Sequence, residues 1–541
     1  MWTSRLGTIA MTCMTCAAFA SADDWPSYNQ SPTSQRHSQL VQIDARNAHA
    51  LAALCTFDTG EETGFQTGLI EAGGTLYGTT EKDTFALDPS TCALRWRVHE
   101  EYQAAGPLKV NRGAALADGH LFRGTEDGRV IAYEASNGKK LWEMRIADPQ
   151  AGETVPAAPI VWNGLVLVGN AGGDNKGVKG RMYALDAASG KILWETYLVP
   201  NDGAQAKAQG WLNAPDVPIT GGATWTTYTI DPASGLLYVP GGNPAPDFDH
   251  SLRPGANANT GSIVVLDAKT GAFRTHYAVS PGDYHDWDVS TAPVILTTKG
   301  GRHIVAVAPK DGHLHAFDLA SGKPLYRTAV TRIENADVPL SLQPVHFCPG
   351  SQGGSEWNGP AYDPATNLLY TGAVEWCVTV TLQSAQKTRD TPLHQPWSGH
   401  DAGGGPGIFG KFDSPSMWAG WVYATDADNG AVAWKFKAPY PVMSGVTSTA
   451  GGLVFAGDMG GMLYAFDAKR GNVLWSRATG GAIGGGVITY SHDGSQRIAA
   501  AIGMTSPIWP TPKTTAKVVV FGLPAKDAAT LNSSHRANDR L

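Results

Sequence analysis

The chain has 541 residues, a formal net charge of -7 and only 16% charged residues, and no basic stripe offsets that balance, which argues against a nucleic-acid partner. With 64 Gly, 34 Pro and 17 Trp, and with Val, Thr and Tyr recurring in short runs, it favours many short strands and tight turns over long helices. The length admits three ordinary domains or one large repetitive one.

Residues 1–22 read as a secretory leader: Arg5 gives the positive start, a mostly apolar run follows, and Ala20-Ser21-Ala22 offers a small-residue cleavage site before Asp23. That run is too short for a bilayer span, and no other stretch approaches about 18 uninterrupted apolar residues. An exported, periplasmic protein without a membrane span is expected. Cys13 and Cys16 would leave with the leader, and Ala17 follows them where haem attachment needs His. The four remaining cysteines are an even number, as suits an oxidising compartment. Of three connectivities, the local one pairs Cys55 with Cys92 and Cys348 with Cys377.

One eleven-residue pattern then recurs: Ala, any residue, Asp, two residues, Ser/Thr, Gly, three residues, Trp. It appears as ALDPSTCALRW (86–96), AYEASNGKKLW (132–142), ALDAASGKILW (184–194), ATDADNGAVAW (424–434) and AFDAKRGNVLW (465–475). Weaker copies, VLDAKTGAFRT (265–275) and AFDLASGKPLY (316–326), replace the Trp. A strand ends at the Asp, whose side chain and the Ser/Thr can bond nearby backbone; Gly can take positive φ, and a second strand leads to the Trp. Such a hairpin cannot bury both its faces alone, so neighbouring units must stack.

Successive copies start 46, 52, 81, 51, 108 and 41 residues apart, and 40 to 50 residues is about one four-stranded propeller blade. The two long gaps must hold insertions or extra strands, and each contains a related turn, DPASGLLY (231–238) and DPATNLLY (363–370). The expected fold is all-β, one propeller of about eight blades over residues 23–525. An N-terminal segment would complete a blade begun by the C-terminus, and residues 526–541 would form a flexible tail. Between the repeats, P-G-D-Y-H-D-W-D-V-S (281–290) crowds three aspartates and a histidine between two predicted strands. Its residues alone fit either a solvated loop or the acidic end of an active site.

The repeat and several single positions between its copies resemble the pyrroloquinoline-quinone (PQQ) dependent alcohol dehydrogenases, eight-bladed quinoprotein propellers. The resemblance runs from W-x-x-Y at Trp25 to about Gly522. It implies a planar, tricarboxylated ortho-quinone held beside a hard metal ion. Asn111-Arg112-Gly113 resembles the segment whose Arg bonds a cofactor carboxylate. GGATW ends at Trp225, matching the tryptophan that stacks on the quinone. Asn243 in LYVPGGNPAP matches an amide ligand of the metal, and Asp174 stands where the family has a glutamate ligand. Trp287-Asp288 matches the W-D whose aspartate removes the alcohol proton, so the resemblance makes Asp288 the base and a further metal ligand. Asp283 and Asp286 would be local turn or supporting groups, and Tyr284 and His285 would shape the entrance or lie on the surface. Lys310 takes the place of a Lys or Arg beside the quinone oxygens. Gln66 replaces a glutamate that touches PQQ.

The implied ligands are all oxygen, which suits Ca²⁺. Lanthanide-using relatives place a second aspartate two residues after the base, where this chain has Ser290. Gly106-Pro107 stands where many relatives have adjacent cysteines that roof the cofactor, and Met443 replaces a tryptophan. Both departures imply a pocket open to larger alcohols. The Cys348–Cys377 spacing matches a family disulfide, and Cys55–Cys92 would tie the strands of the first blade. With no C-x-x-C-H in the mature chain, a separate cytochrome c or comparable acceptor is expected to take the electrons. Residues 383–417, rich in Gly, Pro and His, read as a lid, a pocket wall or a disordered insertion. Alternatives are a polyvinyl-alcohol, sugar or polyol dehydrogenase of the same family, and a non-catalytic scaffold for outer-membrane assembly.

Overall fold

The computed structural model describes residues 24–106, 108–402 and 409–524. The expected leader, the tail from 526, Pro107 and residues 403–408 of the Gly-rich insertion lie outside them. No helix among the described residues is long and apolar enough to cross a membrane.

Eight sheets, each with four antiparallel strands, follow one another at residues 70–99, 110–145, 160–197, 229–278, 294–329, 361–438, 447–478 and 487–522, and Gly64–Gly68 and His37–Ser38 add a fifth, parallel strand to the second and seventh. The last holds only three strands of its own, and Ala52–Asp58 pairs antiparallel with Lys517–Gly522 to supply the fourth. Apolar clusters fill the gap between every neighbouring pair of sheets. Leu76, Phe85 and Leu87 of the first pack with Ile488, Ala499 and Val518 of the eighth, so the series closes into a ring. The turns at 231 and 363 join first to second strands, not third to fourth. The long gaps are therefore filled by long connections within and between blades.

The repeat is explained by one contact. The Trp indole N–H of each copy donates to a main-chain carbonyl in the next blade's turn: Trp96 to Ala135 (3.0 Å), Trp142 to Ala187 (3.0 Å), Trp194 to Ala268 (3.1 Å) and Trp434 to Ala468 (2.9 Å). Tyr326 does the same with its hydroxyl, to Ala427 at 3.2 Å. The turn glycine of the next blade lies flat against that ring. A Cβ on Gly190, at φ +73°, would sit 2.5 Å from Trp142. Where Thr275 replaces the Trp, the next turn's Gly322 has no neighbour within 4 Å.

Seven copies serve eight blades because the eighth third-to-fourth hairpin is a chain break. Trp475 donates instead to Leu51 O, just before the N-terminal strand. In that strand Cys55 pairs with Val520 beside a bulge, the register that Trp142 holds opposite Ala132. Cys92 occupies the glycine position of the first copy, with φ +58°. The Cys55–Cys92 disulfide thus replaces the Trp–Gly contact at the closure. It joins the eighth blade to the first, where the sequence analysis had it tying strands within the first.

Upstream, residues 32–38 form an arm across the channel. Pro32, Thr33, Gln35 and Arg36 accept main-chain bonds from Ile230, Ile295, Tyr362 and Ser448, on the innermost strands of blades four to seven. Antiparallel order also fixes where chemistry can gather. The connection entering a first strand and the one leaving a second strand lie at the same end of the ring, opposite the repeat turns. Residues 66, 112, 225 and 288 enter first strands; 174, 243 and 310 leave second strands.

The docking contact can be isolated with two substitutions. Gly190→Ala and Gly322→Ala both place a side chain at positive φ, at a cost of about 1 kcal/mol or more. Only the first adds overlap with a ring, typically ~1–3 kcal/mol further. Thermal unfolding is expected to show a clearly larger fall in Tm for Gly190→Ala; equal losses would remove the ring contact as the reason for the glycine.

Candidate functional site

In the stretch 281–290, Asp283 is the local organiser: its carboxylate accepts the backbone N–H of His285 (3.1 Å) and Trp287 (2.9 Å). Asp286 then takes φ +66°, reversing the chain. As a result Asp286 and Asp288 both reach Lys310 Nζ, at 3.4 and 2.7 Å. Asp288 Oδ1 also accepts the backbone N–H of Asn243 at 2.9 Å. Gly242 makes this approach possible, since a Cβ there would lie 2.9 Å from that oxygen and 2.5 Å from Ala223 O. His285 is not on the surface. Its ring stacks on Trp287 at 4.1 Å, faces Tyr284 at 4.2 Å and is covered by Phe347.

Asp174, Asp247 and Asp286 form a group whose carboxylate oxygens lie within 4.8 Å of one another. Asp286, besides sitting at the chain reversal, is therefore part of the acidic centre, a place that neither a local turn nor a supporting role had specified. Asp247 had no signal beyond its place four residues after Asn243, whose amide N–H donates to it at 3.0 Å. The backbone of Asp247 is braced by fully buried Arg253, which donates to Pro246 O and Asp247 O, both at 2.9 Å. Residues 383–402, exposed over much of their length, reach this group through buried Trp397. The Trp397 N–H donates to Asp174 O at 2.7 Å, while Trp397 O accepts the Asp247 N–H at 3.2 Å. Lys176 Nζ ties this segment down through Arg389 O (2.5 Å) and Thr391 O (2.8 Å).

The cations lie beside aromatic faces. The Arg112 guanidinium sits 4.7 Å from the Trp225 ring centroid and 5.2 Å from that of Trp357, and donates to Trp225 O at 2.8 Å. Lys310 Nζ is 5.5 Å from Trp225. Trp225 packs on a cluster of Trp357, Trp376, Trp418, Trp509 and Met443. Glu356 is buried beside these cations and was not singled out in the sequence. Ser290 donates its hydroxyl to Ser355 O at 2.7 Å. Two buried polar atoms here, Gln66 Oε1 and Arg112 Nε, lack a hydrogen-bond partner. Buried polar atoms are ordinarily paired, so this end of the ring suits a polar ligand.

Burial, then the charge of Asp288, raises the Asp174 carboxyl to about 6. Burial and the neighbouring carboxylates push Asp247 and Asp286 well above the usual range. Glu356 is raised by burial to about 7, against the pull of Lys310 and Arg112. Burial opposes the charge on Lys310, but Asp286, Asp288 and Glu356 outweigh it and hold the ammonium well above its ordinary value. Burial lowers Arg112 to about 10. Such an arrangement can hold a hard cation on oxygen, seat an anionic planar group between Arg112, Lys310 and Trp225, and offer a carboxylate base.

Residues 25–341 match the family model described as PQQ, glucose/ethanol/alcohol dehydrogenase, beta-propeller domain. Residues 419–503 match the model for outer membrane protein assembly factor BamB. The chain is 31% identical over 540 residues to the dehydrogenase subunit of a quinone alcohol dehydrogenase of Gluconobacter oxydans (strain 621H), covering 89% of this chain and 70% of that one. It is 30% identical to a lanthanide-dependent methanol dehydrogenase of Methylacidiphilum fumariolicum (strain SolV), covering 89% and 84%. A solved europium-containing methanol dehydrogenase superposes with a TM-score of 0.81 at 27% identity, covering 93% of this chain and 98% of that one.

The raised carboxyls make cation binding depend on pH. Their folded-state values exceed those of an unfolded chain, so the proton-bound form stabilises the metal-free fold and that contribution is lost as pH rises, for Asp174 through about 6. A divalent cation held by these carboxylates would replace the protons. The rise in Tm produced by excess Ca²⁺ is expected to be small at pH 5 and to grow towards pH 8; an equal shift at both would show that these carboxyls are not the ligands.

Proposed function

Because this chain belongs to the PQQ-dependent glucose, ethanol and alcohol dehydrogenase β-propeller family, we propose that it oxidises an alcohol larger than methanol to its carbonyl compound. The cofactors would be PQQ and Ca²⁺, and the setting the periplasm. The reaction releases two electrons and two protons per alcohol, and the electrons would leave to a separate acceptor such as a cytochrome c. The observation that carries this reading is the meeting of Asp288, Lys310, Arg112 and Trp225 beside three carboxylates at one end of the ring.

When bound, PQQ supplies the two-electron oxidant and the metal ion a Lewis acid. Asp288 would accept the hydroxyl proton, its carboxylate held in place by the Asn243 N–H and the Lys310 ammonium. Arg112 and Lys310 would supply cations for an anionic cofactor, with Trp225 as its platform and Gln66 as a neutral hydrogen-bonding neighbour. Asp174, Asp247, Asp286 and the Asn243 amide would hold the metal. The tryptophan cluster beneath Trp225 would keep water from the reacting atoms.

One observation favours a second metal. Three clustered carboxylates carry enough negative charge for a trivalent lanthanide. Against it, Ser290 stands where lanthanide-using relatives have aspartate, and its hydroxyl is engaged by Ser355 O. Calcium is the better fit. Protein reconstituted with PQQ and either Ca²⁺ or La³⁺ is expected to reduce an artificial acceptor with alcohols in the Ca²⁺ form. Asp288→Asn should lower kcat by about 10²–10⁴-fold, the usual contribution of a general base. No turnover with any alcohol would favour a non-catalytic propeller, and activity with La³⁺ alone would reverse the metal assignment.

Substrate size is tested at Met443, which is buried in the tryptophan cluster. Met443→Trp should reduce kcat/KM for bulky secondary alcohols relative to ethanol by roughly 10–100-fold, the scale of one or two methylenes of pocket space. An unchanged ratio would place selectivity elsewhere, with residues 383–402 the next segment to vary.

A further inference from the structure

The turn after Lys310 carries a second cluster of metal-binding groups that the proposed alcohol chemistry does not use. His313 and His315 alternate along the start of the strand His313–Asp318, which sets both on one sheet face, and Asp311 comes from the turn before it, across Gly312 at φ +79°. Their ligand atoms lie within 4.8 Å of one another. His315 Nε2 is 2.8 Å and His313 Nδ1 is 3.4 Å from the same oxygen, Asp311 Oδ2. A first-row ion bonded at about 2.0–2.2 Å to nitrogen and oxygen needs donors roughly 3–3.5 Å apart, so little movement is required. The opposite member is Arg327, directly across the strand pair from His315, whose Nη2 lies 3.4 Å from Asp311 Oδ2. Arg327 is the movable partner, since its side chain is 56% exposed while Asp311 is 3% exposed.

We propose that Asp311, His313 and His315 form a second metal site, selective for a borderline divalent transition ion such as Zn²⁺, Ni²⁺ or Cu²⁺, with Arg327 as the cation it displaces. Two imidazoles and one carboxylate suit such ions and not Ca²⁺, which takes only oxygen. His313 would give up the Nδ1 hydrogen bond it shares with Asp311 O, so binding releases a proton where that nitrogen carries one. The remaining coordination positions would be filled by water. Chain geometry gives the site a consequence: the adjoining residue is Lys310, whose N–H donates to Asp288 O at 3.1 Å and whose carbonyl accepts from Gly354 at 2.7 Å. An ion at 311–315 would stiffen the turn that carries Lys310.

Tag-free full-length protein, stripped with a chelator and reloaded with excess Ca²⁺, is titrated with Cu²⁺ and followed by electron paramagnetic resonance. One tightly bound equivalent showing at least two nitrogen ligands is expected. His313→Ala with His315→Ala should abolish it, and Asp311→Asn should weaken it by about 10–100-fold while leaving the nitrogen signature. Arg327→Ala, which removes a competing cation from a half-exposed position, should strengthen it. Asp174→Asn should leave it unchanged, which separates this site from the acidic group at the head of the ring. Copper bound by oxygen alone, a nitrogen-bound equivalent that survives loss of both histidines, or an affinity indifferent to Arg327 would each overturn the proposal.

Discussion

The whole arrangement depends on a contact far from the site: the indole of one blade laid against the turn glycine of the next. A single N–H to carbonyl bond contributes only about 1 kcal/mol, yet it sets the spacing and tilt of neighbouring sheets. A ring closes only when those increments sum to a full turn. Where Thr275 replaces the indole, the Tyr277–Phe317 pair, 5.2 Å between centroids, fills the gap between blades four and five. At the join between the chain ends a covalent bond takes over, with Cys55 at the indole position and Cys92 at the glycine position. Noncovalent docking suffices between the other blades; where the blade built from both termini meets the first, a disulfide stands at the same place.

The ring in turn permits a concentration of charge that an ordinary core would not tolerate. Asp174, Asp247, Asp286, Asp288 and Glu356 meet Lys310 and Arg112 in a largely desolvated space. Removing charges from water is costly unless partners and hydrogen bonds compensate. Here compensation is incomplete: four acids are raised by burial, and Gln66 and Arg112 each leave a polar atom unpaired. A core selected for stability alone would replace such a cluster with apolar side chains. Its retention is understandable if a cation and an anionic ligand complete it.

The repeat made the fold legible, because each copy contains both halves of the docking contact. Arg112, Trp225, Lys310, Asn243, Asp174 and Asp288 were legible only through their likeness to a family, and the structure gathers them at one end of the ring. Asp247, Glu356, Trp357 and Arg253 were not legible. They lie on connections of irregular length, and nothing in their neighbours' spacing shows what the opposite blades bring. The place of Asp286 in the acidic group was not legible for a local reason. Asp283 and Asp286 look alike in a short polar stretch, and only the reversal at φ +66° separates the turn-forming carboxylate from the one facing Lys310. For His285 an entrance or a surface position both stayed open, because Phe347, which covers it, comes from beyond the fifth blade.

The segment 383–402 joins two demands that are usually separable. Loops that roof a site can vary freely when they touch only substrate. This one also carries Trp397, fully buried, whose N–H and C=O bond the main chains of Asp174 and Asp247. The indole of Trp397 is itself fixed by Thr388 O at 2.7 Å, and Lys176, two residues after Asp174, closes the loop from the other side. Two of the three clustered carboxylates are therefore positioned by a segment that is exposed over much of its length. A change in that segment that altered the accepted alcohol would be compatible with cation binding only if it left the backbone of residue 397 in place. The hydrogen bonds involved are main-chain ones, so the side chains around Trp397 are free to diverge while its path is not.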